Sequence, residues 1–90
     1  MKDLVARNSF KKDLKRIAKR GYDRILLEAV IDLLRRAAPL PEARRDHPLK
    51  GEWKDWRECH IEPDWLLIYR TTDEDILLAR TGTHADLFGN

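Results

Sequence analysis

Residues 65–69 are apolar without interruption, and this run limits the folds that the chain can adopt. A strand with one face in water alternates polar and apolar side chains, whereas an unbroken apolar strand is buried on both faces. Glu62-Pro63-Asp64 before the run is typical of a turn, because proline sets the first dihedral angle of a turn. Thr72-Asp73-Glu74 turns the chain again after the run. The sequence therefore predicts a central strand with a packed layer on each side.

Further strands are predicted beside this central one. Residues 53–61 mix polar and apolar side chains before the first turn, and residues 76–80 follow the second turn. Because short turns join antiparallel neighbours, these strands predict a mainly antiparallel sheet. Leu4-Val5-Ala6 is a short candidate strand near the N-terminus.

Two segments in the first half of the chain have the spacing of amphipathic helices. Apolar residues recur at helical spacing over residues 10–18, and Asn8 or Ser9 is expected to cap this helix. A second helix is expected from about residue 23 to residue 37. Each helix has an apolar face that must pack against another element, such as a sheet. The sequence therefore predicts an α+β fold, with two N-terminal helices packed on a small twisted sheet in a single domain of residues 1–90.

Composition restricts the setting and the partners of the chain. The single cysteine, Cys59, cannot form an internal disulfide, which suits a reducing cytosol. No apolar stretch is long enough to cross a membrane, so a cytoplasmic protein is expected. Residues 1–50 carry fourteen Lys/Arg against seven Asp/Glu, while residues 51–90 carry four against nine. This asymmetry indicates either a polyanionic or acidic partner for the first half, or a solvated basic helix face.

The three histidines are expected in loops or at strand ends. His47 precedes the sheet, His60 ends a strand beside the first turn, and His84 follows the last strand. With an unperturbed pKa of about 6.5, histidine can give and take protons near neutral pH. Residues distant in sequence can converge at one edge of a sheet, so the pattern favours a site for acid–base chemistry.

Four motifs in the second half of the chain resemble those of a known family. They are Asp46-His47-Pro48-Leu49-Lys50-Gly51, Trp53-Lys54, His60-Ile61-Glu62-Pro63-Asp64-Trp65-Leu66-Leu67-Ile68-Tyr69, and Arg80-Thr81-Gly82-Thr83-His84 with Leu87-Phe88-Gly89. In this order and spacing, from about Pro39 to Gly89, the chain resembles the YafQ toxins, a branch of the RelE/ParE superfamily of bacterial type II toxin–antitoxin modules. The N-terminal helices match this family in pattern only.

The resemblance implies a RelE-like fold and a ribosome-dependent endoribonuclease that cuts mRNA in the ribosomal A site and so stops translation. It implies no cofactor and no metal. The implied partners are the 70S ribosome, mRNA and a small antitoxin of the RelB/DinJ type with a DNA-binding part. Operator DNA would be bound only through the antitoxin complex, and the toxin would act in the bacterial cytoplasm, away from membranes.

The resemblance also implies which residues form the active site. By motif position, the active-site residues of the family are His47, His60, Asp64, Trp65, His84 and Phe88. Metal-free cleavage of RNA uses the 2′-hydroxyl as nucleophile, so a base must take its proton and an acid must protonate the departing 5′-oxygen. We expect His84 to be the acid and either His60 or Asp64 to be the base, and the turn at Pro63 allows a hydrogen bond between these two residues.

The remaining site residues are expected to bind RNA. His47, Arg80 and Lys50 would contact the scissile phosphate, because positive donors stabilise its developing charge. Trp65 and Phe88 would stack on bases, as aromatic platforms do in single-stranded RNA recognition. Trp65 begins an apolar strand, however, and suits the core equally well. The basic side chains of the first helix would contact ribosomal RNA: Lys11, Lys12, Lys15, Arg16, Lys19 and Arg20.

Two other functions, and a purely binding role without action on RNA, remain open at this point. His47, His60, His84 and Asp64 are also metal-ligand types, which keeps a metal-dependent nuclease as an alternative although their spacing lacks a zinc signature. The ParE branch has the same fold but inhibits DNA gyrase, and a fold does not determine a function. An inhibitor that only binds has no need of proton-transfer groups, so the histidines favour the nuclease.

Overall fold

The fold is described for residues 1–89 in a computed structural model, and Asn90 lies outside the described residues. In chain order the strands and helices are β1 (Asp3–Ala6), α1 (Asn8–Lys19), α2 (Arg24–Arg35), β2 (His47–Pro48), β3 (Arg57–Glu62), β4 (Trp65–Thr71), β5 (Asp75–Gly82) and α3 (His84–Phe88). Short 3₁₀ turns cover Glu42–Arg44 and Gly51–Trp53. The five strands form one sheet in the order β1-β5-β4-β3-β2, with β4 at its centre as the apolar run predicts.

The sheet is antiparallel except at one edge. Strands β2 and β3, β3 and β4, and β4 and β5 pair antiparallel, whereas β1 runs parallel to β5. Parallel neighbouring strands need a long connection. Between β1 and β5 the chain forms both N-terminal helices and the other three strands. The predicted α+β fold, with two N-terminal helices on a mainly antiparallel sheet, is confirmed.

Side chains of β4 alternate between two packed layers, as successive residues of a strand do. Trp65, Leu67 and Tyr69 lie in the core that α1 and α2 cover. Leu66 and Ile68 lie in a second cluster that includes a leucine of α3. All five side chains are at most 2% exposed. The unbroken apolar run therefore reflects burial on both faces.

The start of α1 differs from the prediction. Asn8 and Ser9 lie inside the first turn of the helix, and Arg7 precedes it without a side-chain cap. The Ser9 hydroxyl donates instead to the carbonyl of Ala79 in β5 at 2.8 Å, which joins the helix to the sheet. The expected N-cap was therefore wrong.

Strand β3 is shorter than predicted. Residues 53–56 form a turn in which the Trp56 N–H donates to the Trp53 carbonyl at 3.0 Å. Asp55 takes a left-handed backbone, with φ at 77°, that a strand cannot contain. Extended structure therefore begins only at Arg57. Among residues 1–89, no helix is long and apolar enough to cross a membrane.

Candidate active site

The three histidines converge on one region of the sheet. His47 lies in β2, which pairs with β3 so that His47 stands opposite Glu58. His60 lies in β3, and its ring centroid is 5.9 Å from that of His84, the first residue of α3. The predicted convergence of histidines is therefore observed, and each is placed by a different element.

A capping box determines where α3 begins, and with it the position of His84. The Thr83 hydroxyl accepts from the Asp86 N–H at 3.1 Å, and the Asp86 carboxylate accepts from the Thr83 N–H at 3.0 Å. Asp86 also forms a double hydrogen bond with Arg20 of α1, at 2.6 and 2.9 Å. This guanidinium, together with the hydrogen bonds from Thr83, holds the pKa of Asp86 well below its usual range.

Asp64, in the turn before β4, holds the ring of His84. One oxygen of Asp64, Oδ1, lies 2.6 Å from Nδ1 of His84 and 3.0 Å from its backbone nitrogen. The hydrogen bond from the backbone N–H of His84 is the larger cause that lowers the pKa of Asp64, and the hydrogen bond from the His84 ring is the second. An ionised carboxylate can only accept, so the Nδ1 of His84 carries the proton and its Nε2 is left for a substrate. Both side chains are exposed and can be reached from solvent.

Glu58 forms a second acid–histidine group with His47 and His60. Its side chain is 7% exposed, and its Oε2 lies 2.9 Å from Nε2 of His47 and 3.8 Å from Nε2 of His60. The Nδ1 atoms of these two rings each lie 3.1 Å from a carbonyl oxygen, that of Pro48 and that of Pro63 respectively. A carbonyl only accepts, so both Nδ1 atoms carry protons and both Nε2 atoms face the carboxylate.

This geometry fixes the chemistry of the two imidazoles. The short contact between His47 and Glu58 requires a further proton, either on the ring or on the carboxyl group. A neutral His60 has its lone pair on Nε2, 3.8 Å from the Glu58 oxygen and without a hydrogen bond there. His60 is therefore able to accept a proton from a substrate hydroxyl group.

Sequence reasoning did not identify Glu58 as a site residue. Glu58 and His60 are two residues apart in a strand and so share one face, which is a signal that was available. The contact with His47 depends on the pairing of β2 with β3, which local sequence does not reveal. Sequence analysis also allowed a hydrogen-bonded pair of His60 and Asp64. The structure instead pairs Asp64 with His84.

The same cluster offers ligands for a metal ion. His47, Glu58 and His60 each provide one ligand atom, and the three atoms lie within 4.8 Å of one another. Two imidazoles and a carboxylate suit ions such as Zn²⁺ or Cu²⁺. The metal site considered from the sequence consisted of His47, His60, His84 and Asp64, so it included two residues that lie outside this cluster and did not include Glu58.

Of the two roles considered for Trp65, base-stacking platform and core residue, the structure supports the core residue. Its side chain is 1% exposed, its ring packs at 5.0 Å from that of Tyr22, and its Nε1–H donates to the Thr81 hydroxyl at 2.9 Å. A ring enclosed in this way has no face for a base, so Trp65 belongs to the core. Phe88 is 38% exposed, and its ring lies 6.4 Å from that of His84, so its face is accessible beside the site.

Arg80, which was predicted to contact the scissile phosphate, forms an ion pair within the protein. Its Nε and Nη2 donate to the two carboxylate oxygens of Asp13 at 2.6 and 3.1 Å. Asp13 is 1% exposed and also accepts from the Thr81 N–H at 3.1 Å. A buried carboxylate therefore pairs with Arg80 and joins α1 to β5, while the contact of Arg80 with the phosphate stays a prediction.

The basic residues of α1 fall into two groups. The four lysines, Lys11, Lys12, Lys15 and Lys19, are exposed, and none has an acidic partner within 4.0 Å among residues 1–89. Arg20 is paired with Asp86 at 2.6 Å, and Arg16 lies 3.7 Å from the same carboxylate. The two arginines are thus partly neutralised within the protein, and their predicted contact with ribosomal RNA stays a prediction. Lys50 is exposed after β2.

Comparison with known proteins identifies the family. A family described as the bacterial toxin of type II toxin–antitoxin systems, YafQ, matches residues 2–89. The chain belongs to the YafQ toxin family. The mRNA interferase toxin YafQ of Escherichia coli K12 is 45% identical over 89 residues, which cover 98% of this chain and 97% of that protein.

Solved structures of this family share the fold. The E. coli DinJ–YafQ toxin–antitoxin complex contains a chain with a TM-score of 0.89 and 45% identity, covering 98% of both chains. A metal-bound toxin from Helicobacter pylori matches with a TM-score of 0.91 and 42% identity, over 98% of this chain and 100% of that one. The recognition of the YafQ family from four sequence motifs is thereby confirmed.

Proposed function

We propose that this chain is the toxin of a type II toxin–antitoxin module and that it cleaves mRNA in the A site of the 70S ribosome. Family membership and the name of the E. coli relative, an mRNA interferase, support the nuclease activity. The observation that carries the proposal is the pair of His60 and His84, whose ring centroids lie 5.9 Å apart. Two imidazoles at this separation can contact one phosphodiester group, one as the base and the other as the acid.

His84 is the general acid in this proposal, and His60 is the general base. Asp64 accepts from Nδ1 of His84 and stabilises the doubly protonated ring, whose Nε2 proton passes to the departing 5′-oxygen. A carboxylate whose pKa is lowered accepts protons poorly near neutral pH, so Asp64 orients His84 rather than acting as the base. Glu58 lies 3.8 Å from Nε2 of His60 and would stabilise the positive charge that the ring gains when it takes the proton of the 2′-hydroxyl.

Other residues bind the RNA without proton transfer. His47 and Lys50 contact the scissile phosphate, and the exposed ring of Phe88 stacks on a base beside His84. The four exposed lysines of α1 contact ribosomal RNA, which offers a dense phosphate surface. The reaction needs no cofactor.

The chain acts in the bacterial cytoplasm, where mRNA is translated, and a small antitoxin neutralises it. The E. coli relative is found in a complex with the antitoxin DinJ, which supports a partner of the RelB/DinJ type for this chain. Operator DNA is bound only through the DNA-binding part of that antitoxin.

Metal-dependent cleavage is the second candidate function. The cluster of His47, Glu58 and His60 favours it, because its ligand atoms lie close enough to bind one ion. The metal-bound toxin of H. pylori gives this reading further support. An ion at that cluster would occupy Nε2 of His60, so it is incompatible with His60 as the base. No observation favours inhibition of DNA gyrase.

The two candidates differ in a purified translation system. Wild-type protein is added to a defined mRNA with and without ribosomes, in the presence and absence of a chelator, with the His84→Ala variant as the comparison. We expect cuts that require ribosomes, resist the chelator and disappear in the variant. Loss of cleavage with the chelator would support the metal site, and intact mRNA under all conditions would refute the nuclease.

A further inference from the structure

Arg45 lies in a segment that is anchored on both sides. Before it, Nη1 of Arg44 donates to the carbonyl of Ile61 in β3 at 2.6 Å. After it, the carboxylate of Asp46 accepts from the Tyr69 hydroxyl at 2.7 Å. The position of Arg45 is therefore determined by hydrogen bonds to two strands of the sheet rather than by a free loop.

The backbone of Arg45 is also unusual. With φ at 49° and ψ at 46°, it occupies the left-handed region, which side chains with a Cβ atom rarely adopt. Asn, Asp and Gly are the residues commonly found there, and an arginine has no local hydrogen bond that favours this conformation. Strained backbone at such a residue is associated with functional sites, provided that the surroundings hold it in place.

The side chain of Arg45 lines an open pocket beside the candidate active site. The pocket has a volume of about 480 Å³, and its wall includes Arg44, Arg45, His60 and Glu62. His60 thus borders both this pocket and the catalytic group. A substrate that reaches His60 can therefore extend into the pocket without crossing the protein.

The pocket has an excess of positive charge. Arg45 is exposed and forms no ion pair or side-chain hydrogen bond among residues 1–89. Arg44 uses one of its donors on the Ile61 carbonyl. Glu62 is the carboxylate in the wall, and it is exposed to solvent. Two guanidinium groups against one solvated carboxylate suit an anion with several acceptor oxygens.

We propose that this pocket binds a backbone phosphate of the mRNA next to the cleaved bond, with Arg45 as the main contact. The inference rests on the proposed function, since it places the neighbouring phosphate relative to His60. Arginine binds phosphate through two parallel N–H donors, which fixes the direction of the RNA chain as well as its affinity. The anchored, left-handed segment holds the backbone of Arg45 at the edge of the pocket before RNA binds.

Arg45→Gly removes the side chain and fits the left-handed backbone, so the variant is expected to fold. Arg45→Lys keeps the charge without the planar fork. Arg70→Gln is the matched control, because Arg70 is an exposed arginine on β4 outside the pocket wall. The cleavage of a defined mRNA on ribosomes is measured for each protein at several concentrations and salt levels. We expect Arg45→Gly to raise KM about tenfold or more with little change in kcat, as loss of a charge-assisted contact does.

A second arm identifies the source of the phosphate. The second substrate is an mRNA with one neutral methylphosphonate linkage beside the cleaved bond. The wild type should have a higher KM for it than for the unmodified mRNA, whereas Arg45→Gly should have the same KM for both. If Arg45→Gly raises KM but the modified mRNA does not, the phosphate belongs to ribosomal RNA and the assignment is overturned. If Arg45→Gly equals the wild type while the wild type cleaves, the pocket is not a phosphate site. If the wild type itself cleaves nothing, the proposed function fails first.

Discussion

Asp13→Asn tests how much the ion pair between Asp13 and Arg80 stabilises the fold. The carboxylate of Asp13 is 1% exposed and accepts two hydrogen bonds from Arg80 and one from the Thr81 N–H. Asparagine has almost the same shape but no charge, and one of its two oxygen positions becomes an NH₂ donor. The substitution therefore removes the ion pair while it disturbs packing very little.

The expected loss of stability follows from this geometry. Removing one partner of a buried ion pair costs about 3–5 kcal/mol, because the other charge is left without compensation. The side chain of Arg80 is 22% exposed, so water can partly solvate it, and asparagine retains one acceptor oxygen. We therefore expect a loss near the lower limit, about 3 kcal/mol. In a domain of this size, that lowers Tm by roughly 12–24 °C.

The assay is thermal and urea unfolding followed by circular dichroism, with Asp73→Asn as the control. Asp73 is an exposed aspartate outside the site, and its substitution should change stability by no more than about 0.5 kcal/mol. A fall in Tm of less than about 4 °C for Asp13→Asn would correspond to under 1 kcal/mol and would refute the structural role of the pair. Arg80 would then be available to the substrate.

Three further predictions concern the site and its support. Asp64→Asn should lower the rate of mRNA cleavage by about 10²–10⁴-fold at nearly unchanged Tm, because the amide no longer fixes the proton on Nδ1 of His84; a rate equal to that of the wild type would contradict the assignment. Trp65→Phe should cost at least about 1 kcal/mol in urea unfolding, through loss of the hydrogen bond to Thr81 and the cavity that the smaller ring leaves, and should leave KM for mRNA unchanged; a raised KM would restore the stacking role. Asp64 and Asp86 have lowered pKa values in the folded state, so the unfolded chain binds more protons in acid. Their stabilisation should be complete well above pH 4 and decrease as the pH falls below about 4, and the urea midpoint of Asp86→Asn should depend less on pH in that range.

The central strand and the antiparallel sheet were predictable because their signals are local. An unbroken apolar run, two turn sequences and two amphipathic segments each indicate one element, and they lead to the observed layers. The parallel pairing of β1 with β5 was not predictable, since it joins residues about 70 positions apart. α3 was missed although Thr83 and Asp86 have capping-box spacing, because the helix is only five residues long.

The site could be predicted as a set of residue types but not as a set of contacts. The histidines and Asp64 were identified by their motifs, yet the partner of each depends on tertiary structure. Asp64 is four residues from His60 in sequence and nevertheless binds His84, because α3 begins beside the turn. Arg80 lies in a motif with His84, but Asp13 of α1 binds it from the other end of the chain. Sequence alone could not distinguish a charge in the site from one that is neutralised in the protein.

The central claim is that mRNA is cleaved by attack of its own 2′-hydroxyl, with His60 as the base and His84 as the acid. The chemical ends of the fragments produced on the ribosome test this most directly. The account predicts a 5′-hydroxyl on one fragment and a 2′,3′-cyclic phosphate or 3′-phosphate on the other, and no cut where the cleaved nucleotide is 2′-deoxy. Fragments with a 5′-phosphate and a 3′-hydroxyl, or cleavage at the 2′-deoxy nucleotide, would contradict it and indicate attack by water.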